Sequence, residues 1–303
     1  MGNWSERYLD FFERQGAYYF LYNNIIWVKS YNSILTPLMP AKFIISLSKE
    51  EAEFLLKRTK SRIIRISGGF IEEKSQWWYI ICDRFQDLEQ YTSKRRSEIN
   101  RGLKNCKVEL IDADFIAKFG YGVYREAFKR YRNTVRDLMS EQEFIKYALS
   151  TKSFDDILHW WGVFVDGRLV GYAHNSIVDS EVRYAQIKLH PDYLVYYPSY
   201  ALIYTMNKYY LIEKAFEYIN DGIRSLFHNT EFQDFLEKKF NFRKAYSRLE
   251  IFYSPSLEIL VKTLYPFRNY IPNNLRYFSI IRSLLKQEEI RKSIIKKECG
   301  LLL

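Results

Sequence analysis

Cysteine is scarce in this chain of 303 residues: Cys82, Cys106 and Cys299 lie far apart, with no CxxC pair and no Cys/His cluster. That spacing offers no metal site and points to a reduced, cytoplasmic setting. No apolar run reaches the about 18 residues of a membrane span, so no crossing helix is expected. Asn3 to Arg14 carries charges and no apolar stretch of the signal-peptide kind. Lipid-attachment signals fail on spacing, because Gly2 is followed by Glu6 where Ser or Thr is needed and Cys299 lies one place too early for a prenylation box. No solenoid period is present.

Aromatic residues and positive charge are abundant. Tyr contributes 26 residues and Phe 22, an aromatic share of 18%, most of it expected in the core and on half-buried sheet faces. The formal charge is +10 and the pI about 9.2. A field of that sign draws anionic partners: tRNA, a nucleotide-linked precursor, or an anionic lipid headgroup at a membrane surface. With 48% hydrophobic and 27% charged residues, the chain reads as folded, with one large or two ordinary domains.

Local patterns predict a mixed α/β order. Tyr18 to Ser30 is a hairpin about Asn23-Asn24, since Asn tolerates the positive φ of a tight turn. Ser48 and Glu51 form a capping box before a helix from Lys49 to about Thr59. Strands follow at Ser61 to Ile66 and Gln76 to Cys82, with Gly68-Gly69 read as the turn between them. Asp87 to Lys107 is a helix whose Ile99 and Leu103 are buried together, while Lys94, Arg95, Arg96, Arg101 and Lys104 spread over the rest. Those cations form either a solvated face or an anion clamp, because guanidinium groups hold phosphate oxygens bidentately.

Helices are predicted at Ala113 to Arg132 and, after the Ser140/Glu143 capping box, at Ser140 to Ser150. Asp166-Gly167 joins strands Trp160 to Asp166 and Arg168 to Ile177 in the chain's strongest hairpin signal. Glu181 to Leu189 alternates as a third strand, with Val182, Tyr184, Gln186 and Lys188 on one face. Pro198 opens a helix to about Ala215. A strand at Glu217 to Asn220, a helix capped by Thr230 and ending at Phe240, and a strand at Ser247 to Tyr253 complete the order. The chain turns helical after Pro255.

Three antiparallel strands, helix, strand, helix, strand is an order that resembles the GNAT fold. The Asp-Gly turn in Val165 to Gly171, and the phrase Lys238-Lys239-Phe240-Asn241-Phe242, are similar to recurrent GNAT features; Asn241 replaces a Gly and also accepts a left-handed helix end. The segment from Tyr91 through Arg95, Arg96, Ile99, Asn100 and Arg101 to Lys104 is similar to one in FemAB-like aminoacyl-transferases. This resemblance covers Asp87 to Tyr253. It implies an α/β (α+β) protein of two GNAT-like halves, each with a mixed, mainly antiparallel sheet flanked by helices. The expected division is 1–110, 111–254, and a helical extension 255–303.

The resemblance also implies an acyltransferase that moves an aminoacyl or acyl group to an amine or hydroxyl acceptor without coenzyme A. In coenzyme A-dependent GNAT enzymes a Gly-rich turn holds the cofactor pyrophosphate at the start of the long helix. Here His190 to Ser199 contains no Gly, and Pro198 removes a donor. FemAB-like helices in this position often begin with Pro-Ser, which adds Pro198 and Ser199 to the anion-binding set. No cofactor is therefore expected, and acetyl-CoA is the less favoured alternative. A catalytically inactive module that binds RNA or anionic lipid is the third reading. Catalytic candidates are Asp192, His190 and Asp221 as proton acceptors and Tyr197 as a donor to the leaving oxygen. His174 is read as structural, and His159 and His228 show no partner in the sequence.

Overall fold

The structure, a computed structural model, describes residues 3–30, 33–129, 138–226, 231–272 and 276–300. Thr230 with its expected cap, His228, and residues 130–132 of an expected helix end lie outside the described residues, as does the side chain of Cys299. The first elements are helix α1 (Asn3–Gln15), strands β1 (Tyr19–Tyr22), β2 (Ile25–Ser30) and β3 (Ile34–Leu38), helix α2 (Lys49–Thr59), and strands β4 (Ile63–Phe70) and β5 (Trp78–Cys82). Next come α3 (Ser93–Asn105), β6 (Lys107–Ile111), α4 (Ala113–Phe128) and α5 (Glu141–Leu149). Strands β7 (Leu158–Val165), β8 (Arg168–Val178) and β9 (Glu181–Leu189) precede α6 (Pro198–Lys208). The order ends with β10 (Tyr218–Ile223), α7 (Glu231–Phe240), β11 (Arg243–Tyr253), α8 (Pro255–Leu264) and α9 (Arg276–Gly300).

These elements fall into two compact units. The first takes Met1–Ala17, Ile81–Gly222 and Phe232–Arg243, and the second takes Tyr18–Ile80, Ile223–Glu231 and Lys244–Leu303. The chain thus crosses between units several times, where local composition divides it at 110 and 254. One cause is α1, held in the first unit by contacts distant in sequence. Arg7 Nε donates to the Asp156 carboxylate at 2.6 Å, and the Phe11 ring meets Phe154 edge-on at 5.2 Å.

In the first unit the strands run β10-β9-β8-β7-β6, antiparallel except for β9 and β10. Asp166 (φ 48°) and Gly167 (φ 76°) both take the left-handed region that a two-residue hairpin requires, and β7 pairs with β8 from Val165 and Arg168 onward. Trp160 and Tyr172 from the sheet pack with Ile116, Val123 and Tyr124 of α4 and Phe144 of α5 to form the core. His174 belongs to it: its ring stacks on Trp160 at 4.0 Å, and Nδ1 shares a 2.6 Å hydrogen bond with the Tyr147 hydroxyl. Burial pushes its pKa down to about 3 and keeps the ring neutral. His159 shares a 3.0 Å bond with the Tyr210 hydroxyl, which also accepts from Trp161 Nε1 and Asn175 Nδ2. Tyr210 lies in the π-helical turn Tyr209–Glu213 that continues α6.

In the second unit the order is β1-β2-β3-β4-β11-β5, with β3 and β4 parallel. Asn23 (φ 50°) and Asn24 (φ 58°) close the expected β1-β2 hairpin, and the capping box at Ser48 opens α2. Gly68 and Gly69 do not form a turn. They lie inside β4, where pairing with β11 steps from Phe70 to Gly68 and leaves Gly69 as the extra residue of a bulge. The reason is close backbone approach: Gly69 N donates to the carbonyls of Ala41 and Phe43, and a Cβ on Gly68 would collide with the Phe43 oxygen. Trp27, Leu35, Leu55 and Ile64 fill one core, while Trp77, Leu249 and Ile251 pack with Ile290 and Ile294 of α9.

Candidate functional site

Two backbone devices part β9 from β10 in the first unit. Their parallel pairing covers only Tyr218 to Asn220 against Glu181 to Arg183. On β9 the next residues carry a bulge at Ala185, where pairing with β8 steps from Tyr184 to Gln186. The bulge interrupts the strict alternation expected for Glu181 to Leu189. On β10 the Asn220 side chain donates to Glu181 at 2.7 Å and accepts the Gly222 N–H at 2.7 Å. Gly222 then takes φ 101°, which an L side chain rarely adopts, just past the last residue of β10 paired with β9. Asp221 sits at the point of separation.

Asp221 is half-buried, and loss of hydration pushes its carboxyl up to about 8, against which a hydrogen bond with Gln233 of α7 acts more weakly. Near neutral pH the group therefore holds its proton about half the time or more, the range in which a carboxyl exchanges protons with substrate. Tyr184, buried close by, feels the Asp221 charge, and its hydroxyl donates to Asn207 Oδ1 at 2.7 Å. Neither Tyr184 nor Gln233 stands out in the sequence, where Asn220-Asp221-Gly222 reads chiefly as a turn.

Helix α7 touches both this point and the start of α6, on different faces. Two residues beyond Gln233, Phe235 meets the Tyr200 ring edge-on at 5.2 Å. Tyr200 accepts a 3.3 Å hydrogen bond from Arg95, and Arg95 also pairs with Glu98. One turn earlier Tyr197 takes a left-handed conformation (φ 63°), with the Arg101 guanidinium 4.7 Å from its ring centre and Arg101 Nη1 donating to its hydroxyl at 3.3 Å. The Tyr197 O–H proton remains available to another acceptor.

Helix α3 lies directly over the α6 start. A Cβ on Gly102 would stand 2.7 Å from the Tyr197 carbonyl oxygen and 3.0 Å from Ala201 N. Pro198, buried as the first residue of α6, has no N–H, and the Tyr200 and Ala201 N–H groups are bonded to the Tyr197 carbonyl. Ser199 follows Pro198 in the same turn, half-buried. Gly102→Val should therefore force the two helices apart and destabilise the protein by about 2 kcal/mol. Chemical denaturation checks this through a lower midpoint with unchanged slope; an unchanged midpoint would mean that the helices are not in contact.

The five basic residues of α3 do not share one face. Arg95 is turned inward to Glu98 and Tyr200, whereas Arg96, Arg101 and Lys104, with Ser93, Ser97 and Asn100, line a shallow depression of about 330 Å³. Lys94, exposed beside Ser93, is not among the lining residues.

His190 and Asp192 occupy a different place. They border a cavity of about 600 Å³ with Phe115, Phe119, Arg125 and Arg168, and Asp221 is not among its lining residues. His190 Nδ1 accepts the Asp192 N–H at 3.3 Å, while the Asp192 side chain is 84% exposed, so that water already solvates its charge. The structure thus brings Tyr197, Pro198, Ser199 and the α3 cations together and leaves His190 and Asp192 apart; Asp221 meets α7 at Gln233, on a different face from the Phe235 that meets Tyr200. Among the described residues, no group of three or more His, Cys, Asp or Glu could hold a metal ion, and no helix is long and apolar enough to cross a membrane.

Neither a protein-family model nor a curated protein matches the chain. Solved structures do. FemX is similar at 13% identity and a TM-score of 0.52, over 79% of this chain and 88% of that one. The C-terminal domain of a putative lysylphosphatidylglycerol synthetase from Agrobacterium fabrum gives 10% identity and a TM-score of 0.52, over 86% and 95%. A conserved protein of unknown function from Bacteroides thetaiotaomicron VPI-5482 gives 14% and 0.52, over 82% and 90%. The chain has a GNAT-like fold. At these identities the likeness extends to architecture alone.

Proposed function

We propose that the protein is an acyltransferase that moves an aminoacyl group from an activated ester, with aminoacyl-tRNA as the donor class, to an amine or hydroxyl acceptor. The observation that carries this reading is Asp221: a carboxyl raised to about 8, placed where β9 and β10 separate. As general base it takes the proton of the attacking amine or hydroxyl, whose heteroatom bonds to the ester carbonyl carbon. The bond from that carbon to the ribose oxygen breaks. Tyr197, polarised by Arg101, gives its proton to the leaving oxygen and recovers one from solvent, so the reaction needs no metal or redox partner.

Independence from coenzyme A is supported by the covered start of α6. Gly102 of α3 lies against Tyr197 and Ala201, and of the first-turn N–H groups that would cradle a pyrophosphate the one at Pro198 is missing and those of Tyr200 and Ala201 are already bonded. The names of two similar structures, FemX and a lysylphosphatidylglycerol synthetase domain, agree with aminoacyl chemistry on this frame. The test offers labelled aminoacyl-tRNAs with amine- and hydroxyl-bearing acceptors, alongside a calorimetric titration with acetyl-CoA. Transfer of label from tRNA without added coenzyme A is expected. Saturable micromolar binding of acetyl-CoA would overturn this reading.

A further inference from the structure

The C-terminal part of the second unit carries several large apolar side chains on the outside. Ile259 and Leu260 of α8 are 67% and 45% exposed, and Phe267 and Tyr270 in the 3-10 turn that follows are 59% and 83% exposed. Helical geometry explains the pattern. Ile259, Leu260 and Thr263 lie within an arc of about 100° on α8, opposite Val261, which is buried at 3%. Val261 satisfies the inward face, and Tyr265 is covered by cations, with Lys292 Nζ 3.8 Å and the Arg268 guanidinium 4.4 Å from its ring centre. Among the described residues, no cation covers the outward side chains in this way. Ile280 on α9 adds another exposed apolar side chain at 74%.

Charge identifies what fits this surface. Residues 255–303 contain nine Lys and Arg against four Glu, which places half of the chain's formal charge of +10 in about one sixth of its length. Exposed aliphatic and aromatic side chains set among cations match the boundary between acyl chains and anionic headgroups, where rings and aliphatic groups enter the apolar layer and ammonium groups remain at the phosphates. An RNA partner would use the cations but gain little from Ile259, Leu260 or Ile280. A soluble protein partner has no need of so large an excess of one charge.

We infer that α8, the turn at Tyr265–Tyr270 and the basic α9 form a peripheral docking surface for an anionic lipid bilayer. The contact is interfacial, with Ile259, Leu260, Phe267 and Tyr270 inserted, and with Lys262 and Lys286 exchanging the glutamates they pair with, Glu258 at 2.6 Å and Glu289 at 2.8 Å, for headgroup phosphates. It stands apart from the proposed chemistry, since none of these residues takes part in proton transfer.

The full chain would be floated with vesicles of phosphatidylcholine alone and of phosphatidylcholine mixed with phosphatidylglycerol, at low and high salt. Binding to the mixed vesicles alone, weakened by salt, is expected. The double variant Ile259→Ser with Phe267→Ser should bind about tenfold more weakly, through loss of inserted apolar area. Its circular dichroism melt should be unchanged, because both positions are exposed. Asp221→Asn should bind vesicles like the parent, so failure of the proposed chemistry and failure of this docking are distinguishable. No flotation with anionic vesicles, or equal binding by parent and double variant, would overturn the inference. Sedimentation without lipid supplies the remaining control: a dimer that the double variant dissolves would assign the surface to a second copy of this chain instead.

Discussion

Replacing Asp221 with Asn should remove most of the transfer activity while making the folded protein more stable. Both effects follow from one property, the carboxyl raised to about 8 by burial at the end of β10. An aspartate in the unfolded chain titrates near ~3.9, so between that pH and about 8 the folded protein binds a proton that the unfolded chain has lost. Stability tied to this group is therefore fully present below about 4 and falls as the pH rises through about 8. Asn resembles the protonated carboxyl and cannot be ionised. The variant should match the parent in acid and exceed it increasingly toward alkaline pH, by on the order of 1 kcal/mol or more near pH 8. Urea unfolding of both proteins across this range measures the difference. Activity should move the opposite way, because Asn accepts no proton: a loss of roughly 10²- to 10⁴-fold is expected. In the parent the transfer rate should rise with pH to a plateau above about 8, and the residual rate of the variant should lack that limb. A variant that is both active and no more stable would remove Asp221 from the mechanism.

That a functional group should also be a liability to the fold explains why its importance is hard to read from sequence. Asn220-Asp221-Gly222 has the composition of a turn, and much of its geometry is that of a turn: Asn220 Oδ1 accepts the Gly222 N–H. The carboxyl becomes unusual only through loss of hydration in the folded chain, which no neighbouring residue in the sequence signals. Features set by neighbouring residues were mostly legible, although Leu103, expected to be buried with Ile99 four residues earlier, is 36% exposed. Asp166-Gly167 and Asn23-Asn24 adopt the positive φ values that their turns demand, both capping boxes form, Pro198 begins α6, and Asn241 takes φ 59° after α7. Features set by distant partners were not. The Gly68-Gly69 bulge depends on the carbonyls of Ala41 and Phe43, and the place of α1 depends on Asp156 and Phe154. The GNAT-like order was visible because its hairpins, helix starts and alternating strands are local. The site was visible only in part, as candidate residues without their grouping.

The basic helix α3 leads to the second large effect. Its sequence presents five cations as equivalent, but Arg95 is held by Glu98 and the Tyr200 hydroxyl, while Arg96, Arg101 and Lys104 share a depression open to solvent. If a tRNA backbone lies along that face, replacing Arg96, Arg101 and Lys104 together with Ala should weaken its binding by about a hundredfold at moderate salt. The dependence of log affinity on log salt should become shallower by about 2 to 3, as three fewer counterions are released on binding. Arg95→Ala should behave differently. Its guanidinium is only 14% exposed and supports Tyr200, so that change should lower the denaturation midpoint and leave the salt slope near that of the parent. Filter binding over a range of salt concentrations, with denaturation of each variant, separates the two outcomes. Equal slopes for the parent and the triple variant would exclude this face as the phosphate contact. If the triple variant loses affinity but keeps its fold while Arg95→Ala does the reverse, α3 has two roles on opposite sides: one side holds the nucleic acid and the other fixes the start of α6, where Tyr197 and Tyr200 sit. Arg101 belongs to both, since it borders the depression and donates to the Tyr197 hydroxyl. Arg101→Ala alone should therefore reduce the turnover of bound donor as well as its affinity, whereas Lys104→Ala should reduce affinity only.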